Sequence, residues 1–207
     1  MPDRQNPRIS SRKQPKQARS AELVAAILEA AVQVLAKEGA SRFTTARVAE
    51  KAGVSVGSVY QYFPNKAAIL FRLQSDEWGQ TTSMLRAILE DAEKPPLHRL
   101  RAMVHAFVHS ECEEADMRVA LNDAAPLYRD APEAQAVRVS GSELMRRFMR
   151  ELMPEVSDAV RELASDLITS TMDQVPKAFS ETPHSQAEID AFASAMADMF
   201  EAYLKSL

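Results

Sequence analysis

One short stretch carries side chains suited to reading another molecule rather than transforming it. Val56, Gly57, Ser58, Tyr60 and Gln61 would share the outward side of a short helix at this spacing. A glutamine amide reads adenine bidentately, and a valine methyl can touch a thymine methyl. Tyr60 and Tyr62 carry hydroxyls suited to phosphate oxygens, contacts that position a protein without reading sequence. Gly57 and Ser58 are small enough to let the helix start approach base edges closely. Lys66 follows Asn65, which can cap the next helix. A cation in a first turn opposes the helix dipole, a placement that makes sense when a phosphate sits at the same N-terminus. Thr45, Arg47 and Ser55 complete the set of candidate DNA contacts.

Other chemistry is thin. His105, His109 and Glu113 recur at i, i+4 and i+8 with Cys112 beside them, a spacing that aligns metal ligands on one helix face. They lie opposite an apolar stripe, however, so the expectation is a solvated face or a polar pocket wall, with no metal and no cofactor. The chain has no Walker loop, no G-x-S-x-G elbow and no paired-cysteine motif. Its carboxylates are scattered along helices. No catalytic constellation is present, and the expectation is that the protein is not an enzyme.

The reading face needs a scaffold, and residues 44–66 supply one. Val48, Ala49 and Ala52 form an apolar face at helical spacing, with Thr45 as the expected N-cap. Gly53 allows the positive φ that ends the helix. Val54 plugs the corner and Ser55 caps a second helix, whose inward face is Val59, Tyr62 and Phe63. Pro64 stops it. Ala49 leaves room for two short helices to cross steeply. The pattern is helix-turn-helix, a unit whose second helix enters a major groove.

Charge supports this placement. The net charge of the 207 residues is −4, but it is divided unevenly. Residues 1–75 hold 12 Lys and Arg against 5 Asp and Glu, a net +7, and residues 76–207 hold 13 against 24, a net −11. A basic front on an acidic body is the electrostatic layout of a DNA-binding module joined to something else.

Residues 20–75 resemble the DNA-binding domain of TetR-family transcriptional regulators. The resemblance rests on Ile27-Leu28-Glu29-Ala30-Ala31, Gly39, Phe43-Thr44-Thr45, Val48-Ala49, Ala52-Gly53-Val54-Ser55, Gly57-Ser58-Val59-Tyr60, Tyr62-Phe63 and Asn65-Lys66. The family often has Lys where Val56 stands and His where Tyr62 stands. Beyond residue 80 only the architecture is similar. The resemblance implies a homodimeric regulator, most simply a repressor, on a palindromic double-stranded operator. It also implies a hydrophobic small-molecule effector bound in the C-terminal domain, with Trp78, Met103, Phe107, Tyr128 and Met172 as pocket candidates. The reading from another class is a helical enzyme or small-molecule carrier whose basic front binds a partner protein. A salt-sensitive, sequence-specific DNA shift separates the two.

The whole chain reads as all-α, with about nine helices: an N-terminal three-helix DNA-binding domain and a C-terminal helical ligand-binding and dimerisation domain. Residues 1–19 are rich in Arg, Lys and Pro and read as a disordered basic arm. Residues 20–75 form the helix-turn-helix domain and residues 76–207 the effector domain. Helix 1 is expected from Ala21 to Glu38, closed by Gly39. Helix 4 starts after Asn65 and runs toward Glu93. The fifth helix starts at Pro95-Pro96, and Pro176 ends or kinks the eighth. Ser185 and Glu188 form a capping box for the ninth. The last two helices are apolar too far round to be covered from one side, which predicts a dimer interface there. The lone Cys112 and the lack of a signal peptide or membrane-length apolar run point to a cytoplasmic protein.

Overall fold

The computed structural model describes residues 9–10, 18–128 and 143–207, and every regular element among them is helical. Helix α1 spans Ala18–Arg42, α2 Thr45–Lys51 and α3 Val56–Tyr62. Helix α4 spans Lys66–Leu89, α5 Pro96–Glu113 and α6 Ala115–Ala124. A 3₁₀ turn, Ala125–Leu127, follows α6. Residues 143–152 are helical and are called α7 here. Helices α8, Asp158–Ser180, and α9, Gln186–Lys205, complete the chain. The start expected for α7 and most of the N-terminal arm lie outside the described residues.

Two compact units result. Among the described residues, the first comprises those up to 78 and 116–128, the second 79–115 and 143–207. The boundary falls inside α4, between Trp78 and Gly79. This departs from a division at residue 75, because α6 joins the first unit. Ala120, Leu121, Ala124 and Tyr128 are buried in the same core as Phe71 and Leu73 of α4. The Tyr128 ring lies 5.8 Å from that of Phe71, and its hydroxyl donates to the Leu121 carbonyl at 3.0 Å. Arg118 of α6 pairs with Glu77 at 3.0 Å. Nothing in the local pattern of α6 announces this; the partner is about fifty residues away.

The first core is built from Ile27, Ala31, Leu35, Phe43, Val48, Ala49, Val59, Phe63, Ile69 and Leu70, all nearly inaccessible. Ile9 is buried in the same cluster. The arm is therefore anchored at that residue, because its one aliphatic side chain finds apolar cover. Gly39 adopts φ 71° and breaks the helical geometry of α1, after which one further turn runs to Arg42.

The second core holds six buried methionines, Met103, Met145, Met149, Met153, Met172 and Met196, with Leu100, Val104, Phe148, Ile168 and Phe200. Helix α5 packs against both α8 and α9. Arg99 is buried at 2% exposure. It pairs with Glu151, donates to the Leu89 carbonyl at 2.6 Å and lies 5.4 Å from the Phe148 ring centre. The Arg99 guanidinium holds the Glu151 carboxyl below the usual carboxylate range.

Pro176 neither ends α8 nor marks its last residue: the helix continues to Ser180, with the proline ring buried. Its apolar ring faces the core on the same side as Met172, and that burial offsets the lost backbone hydrogen bond. The turn to α9 is closed by ring stacking, with Phe179 3.8 Å from His184 and 3.9 Å from Phe192. The capping box is present, with Ser185 Oγ accepting from the Glu188 N–H and the Glu188 carboxylate accepting from the Ser185 N–H at 2.7 Å.

Candidate nucleic-acid interface

The turn between α2 and α3 is set by backbone chemistry. Gly53 has φ 68°, a left-handed conformation in which a Cβ would crowd the following carbonyl. The Gly53 and Val54 N–H groups return to the carbonyls of Glu50 and Ala49 at 3.1 and 3.0 Å, closing the end of α2. Ser55 then caps α3. Its Oγ accepts from the Ser58 N–H at 3.0 Å and lies 2.8 Å from Ser58 Oγ. Such caps contribute about 1 kcal/mol each. Asn65 caps α4 in the same way, accepting from the Ala68 N–H at 2.9 Å. Lys66 is the first residue of α4, half-buried at its N-terminus.

With both ends fixed, α3 has two distinct sides. Val59 and, beyond the helix, Phe63 are buried, and Tyr62 is only 7% exposed. Val56 is 38% and Tyr60 42% exposed, and Gly57 and Gln61 are exposed with them. A Cβ built on Gly57 would meet nothing nearer than Ser55 Oγ at 3.7 Å. The glycine is thus not required by the protein's own packing, and its smallness is available to whatever α3 faces.

Three candidate contacts change character. The N-cap of α2 is Thr44, whose Oγ1 accepts from the Arg47 N–H at 3.3 Å. Thr45 is the first helical residue and is buried. The cap shifts by one because Thr44 has the extended backbone a cap needs, and Thr45 fills the core beneath it. Arg47 is ion-paired with Glu38 and donates to the Arg42 carbonyl at 3.1 Å. That pair and bond tie α2 to the end of α1. Tyr62 serves the inward face, and its burial places the ring in the core rather than on the groove side. Arg47 nonetheless borders an open groove of about 650 Å³ that also meets Lys37, Arg42 and Lys51.

The candidate effector residues separate. Tyr128 is in the first core and Trp78 packs against that core. Met103 and Met172 are in the second core, with Phe107 packed against it. The five do not belong to one cluster, because α6 and the first part of α4 pack with the DNA-binding helices. A recess of about 290 Å³ in the second unit is lined instead by Leu89, Arg99, Leu144, Phe148 and Glu151, among others. On α5, His105 and His109 are half-buried and meet α9, while Glu113 is exposed and does not join them. The polar side of α5 is therefore partly covered by α9, at His105 and His109, and solvated at Glu113.

No helix among the described residues is long and apolar enough to cross a membrane.

A capped two-helix corner that buries one side of α3 and leaves the other open is a DNA-binding helix-turn-helix, here carried by an all-helical chain with a second helical unit. The chain belongs to the TetR family of bacterial regulators. Residues 95–207 match the family described as "Tetracyclin repressor-like, C-terminal domain", and residues 27–73 match "Bacterial regulatory proteins, tetR family". Regulators of this family are not enzymes.

Among curated relatives, the nucleoid occlusion factor SlmA of Vibrio campbellii is 40% identical over 83 residues, 40% of this chain and 42% of that protein. The fatty acid metabolism regulator protein of Bacillus subtilis is 41% identical over 54 residues, 26% of this chain and 28% of that one. The alignments span about two fifths of the SlmA sequences. Among solved structures, the fatty acid degradation regulator FadR from Bacillus halodurans has a TM-score of 0.68 at 20% identity, covering 90% of this chain and 96% of that one. FadR from Bacillus subtilis in complex with stearoyl-CoA has a TM-score of 0.65 at 16% identity, covering 85% and 96%. At these identities the structural likeness concerns the fold.

Proposed function

We propose that this protein is a homodimeric repressor of a palindromic operator, released by a hydrophobic small molecule, and that it acts in the cytoplasm. The observation that carries the DNA half is the two-sided α3, with Val59 and Tyr62 inward and Val56, Gly57, Tyr60 and Gln61 outward. Gln61 reads a base, while Tyr60 and Lys66 hold phosphates. Dimerisation follows from the outer sides of α8 and α9. Leu163 is 65%, Leu167 49% and Met199 51% exposed, with Val175 beside them. Leu163, Leu167 and Val175 recur at multiples of four and so form one stripe along α8. Much of the apolar surface of α9, including Ile189, Met196, Phe200 and Leu204, is already buried within the protomer. The partner would meet Met199 and the small exposed residues Ala195 and Ala202.

The effector half rests on the methionine-rich second core. Unbranched thioether side chains repack around irregular guests. Met103, Phe107 and Met172 line the proposed site, and a long acyl thioester is the first probe because a structural relative is seen with stearoyl-CoA. Helix α4 is one uninterrupted helix that begins in the first unit and ends in the second, so it is the element through which occupancy would alter the recognition helix. The effector releases DNA only if it binds the DNA-incompetent state more tightly.

The test is a base-preference profile of the purified protein on randomised DNA, with the Gln61→Ala and Tyr60→Ala variants alongside. Gln61→Ala should flatten preference at a few positions, by about 1–3 kcal/mol for a bidentate contact. Tyr60→Ala should weaken all sequences alike. An unchanged profile for Gln61→Ala would remove its reading role. For the effector, coupling must be reciprocal: stearoyl-CoA should bind less tightly when operator is present, and equal affinity in both titrations excludes it as an inducer.

A further inference from the structure

His105 and His109 lie one turn apart on α5, with ring centres 6.4 Å apart and planes within 19°. Asp190 of α9 stands across from them. One ligand atom from each of the three lies within 4.8 Å of the others. His109 Nε2 is 2.8 Å from Asp190 Oδ1, and His109 Nδ1 is 3.1 Å from Gln186 Nε2. His105 Nε2 is 3.4 Å from Ser194 Oγ. Gln186, Asp190 and Ser194 recur every four residues, so one side of α9 presents all three polar groups to α5.

We propose that His105, His109 and Asp190 form a binding site for a divalent transition-metal ion, joining α5 to α9 within the second unit. Two imidazoles and one carboxylate make a borderline donor set suited to Zn²⁺, Co²⁺ or Ni²⁺ rather than to Mg²⁺ or Ca²⁺. The three supply all but one ligand of a tetrahedral ion and leave a place for water or an exogenous group. With bonds of about 2.1 Å, ligand atoms in such a site lie about 3.4 Å apart. Closing from 4.8 Å therefore asks for a shift of about 1.4 Å at most. Small χ rotations shared by the half-buried His105 and His109 and the exposed Asp190 would supply it.

The surroundings suit the ion. For Nε2 to ligate a metal, the single ring proton of His109 must sit on Nδ1, where it would donate to Gln186 Oε1 once that side-chain amide is turned over. Arg101, one turn before His105 on α5, would repel a cation, but it is engaged by Asp198 and by Glu201 at 2.7 Å. Sequence spacing nominates Glu113 as the third ligand; the fold supplies Asp190 instead.

The test is calorimetric titration of the full-length protein with ZnCl₂, paired with the visible absorption of the Co²⁺ complex, which reports tetrahedral geometry. Wild type, Glu113→Gln and Cys112→Ser should bind one ion per chain with equal affinity. His109→Ala and Asp190→Asn should weaken it at least about tenfold, with far-ultraviolet circular dichroism confirming that both remain folded. Asp190 is exposed, so its variant keeps the fold. Loss of binding in Cys112→Ser would assign the ion to the thiol and overturn the proposal. So would loss in Glu113→Gln with Asp190→Asn unaffected, or an absence of saturable binding by wild type. None of these readouts depends on DNA or on an effector, so failure here leaves the repressor reading intact.

Discussion

The two units solve the problem of a hydrophobic core with different materials. The first core contains no buried methionine among the described residues and is filled by Ile27, Leu35, Phe43, Val48, Ile69 and Leu70 around the small Ala31 and Ala49. The second holds six methionines. Branched and aromatic side chains have few rotamers and lock one arrangement. Methionine has three rotatable bonds and accepts several. The first unit must hold α3 to well under a turn of error if its side chains are to meet base edges. On the proposed function, the second must admit a guest and report it. Rigidity where a pattern is read and plasticity where a ligand would be accommodated is the division of labour that the compositions suit.

The largest expected effect tests the outer side of the second unit. Leu163→Asp with Leu167→Asp places two charges on the proposed dimer stripe. Burying unpaired charge costs about 3–5 kcal/mol, which is about 100-fold or more in dimer affinity. Light scattering should show monomers, and operator affinity should fall with dimerisation, while each protomer stays folded because both side chains already face outward. A variant that stays dimeric would sink the assignment of this face.

Next comes the contrast between the cores. Ala49→Leu overfills the α2–α3 crossing and should destabilise the first unit by about 1–3 kcal/mol. Trp78, the only tryptophan, packs against that core and can follow its unfolding. Met149→Leu, a volume-conserving change in the second core, should cost less than about 1.5 kcal/mol. Denaturant melts followed by Trp78 fluorescence and by circular dichroism measure both. If Met149→Leu proved as costly as Ala49→Leu, the distinction between a rigid and an adaptable core would collapse.

The smallest effect sharpens the picture of the turn. Ser55→Ala removes the cap of α3 and should cost about 1 kcal/mol, lowering the first unit's stability without altering base preference. A changed preference would mean that Ser55 takes part in reading bases as well as holding Ser58 in place.

Much of the interface was legible because its signals are local. A cap reaches three residues, as Ser55 to Ser58 and Asn65 to Ala68 do. A left-handed glycine such as Gly53 ends a helix without help from elsewhere. The capping box of Ser185 and Glu188 is equally self-contained. The inward and outward sides of α3 follow from helical periodicity alone. Even so, choosing Thr44 over Thr45 as the α2 cap needed the backbone, since two adjacent threonines offer the same chemistry and only one could fill the core.

What the tertiary structure decided lies at long range. Arg47 looks like a free cation in the sequence, yet Glu38 holds it. Tyr128 looks like an effector contact, yet it packs on Phe71 and hydrogen-bonds within the first unit. Pro176 reads in the sequence as an end or a kink, and α8 runs on past it to Ser180 with the ring buried. His109 meets Asp190 across 81 residues of chain, whereas the sequence suggested Glu113, four residues away. Periodicity states which residues share a side of one helix. Which side of another helix covers them depends on how the bundle closes, and that is set by the summed packing of the whole core rather than by any one stretch of chain.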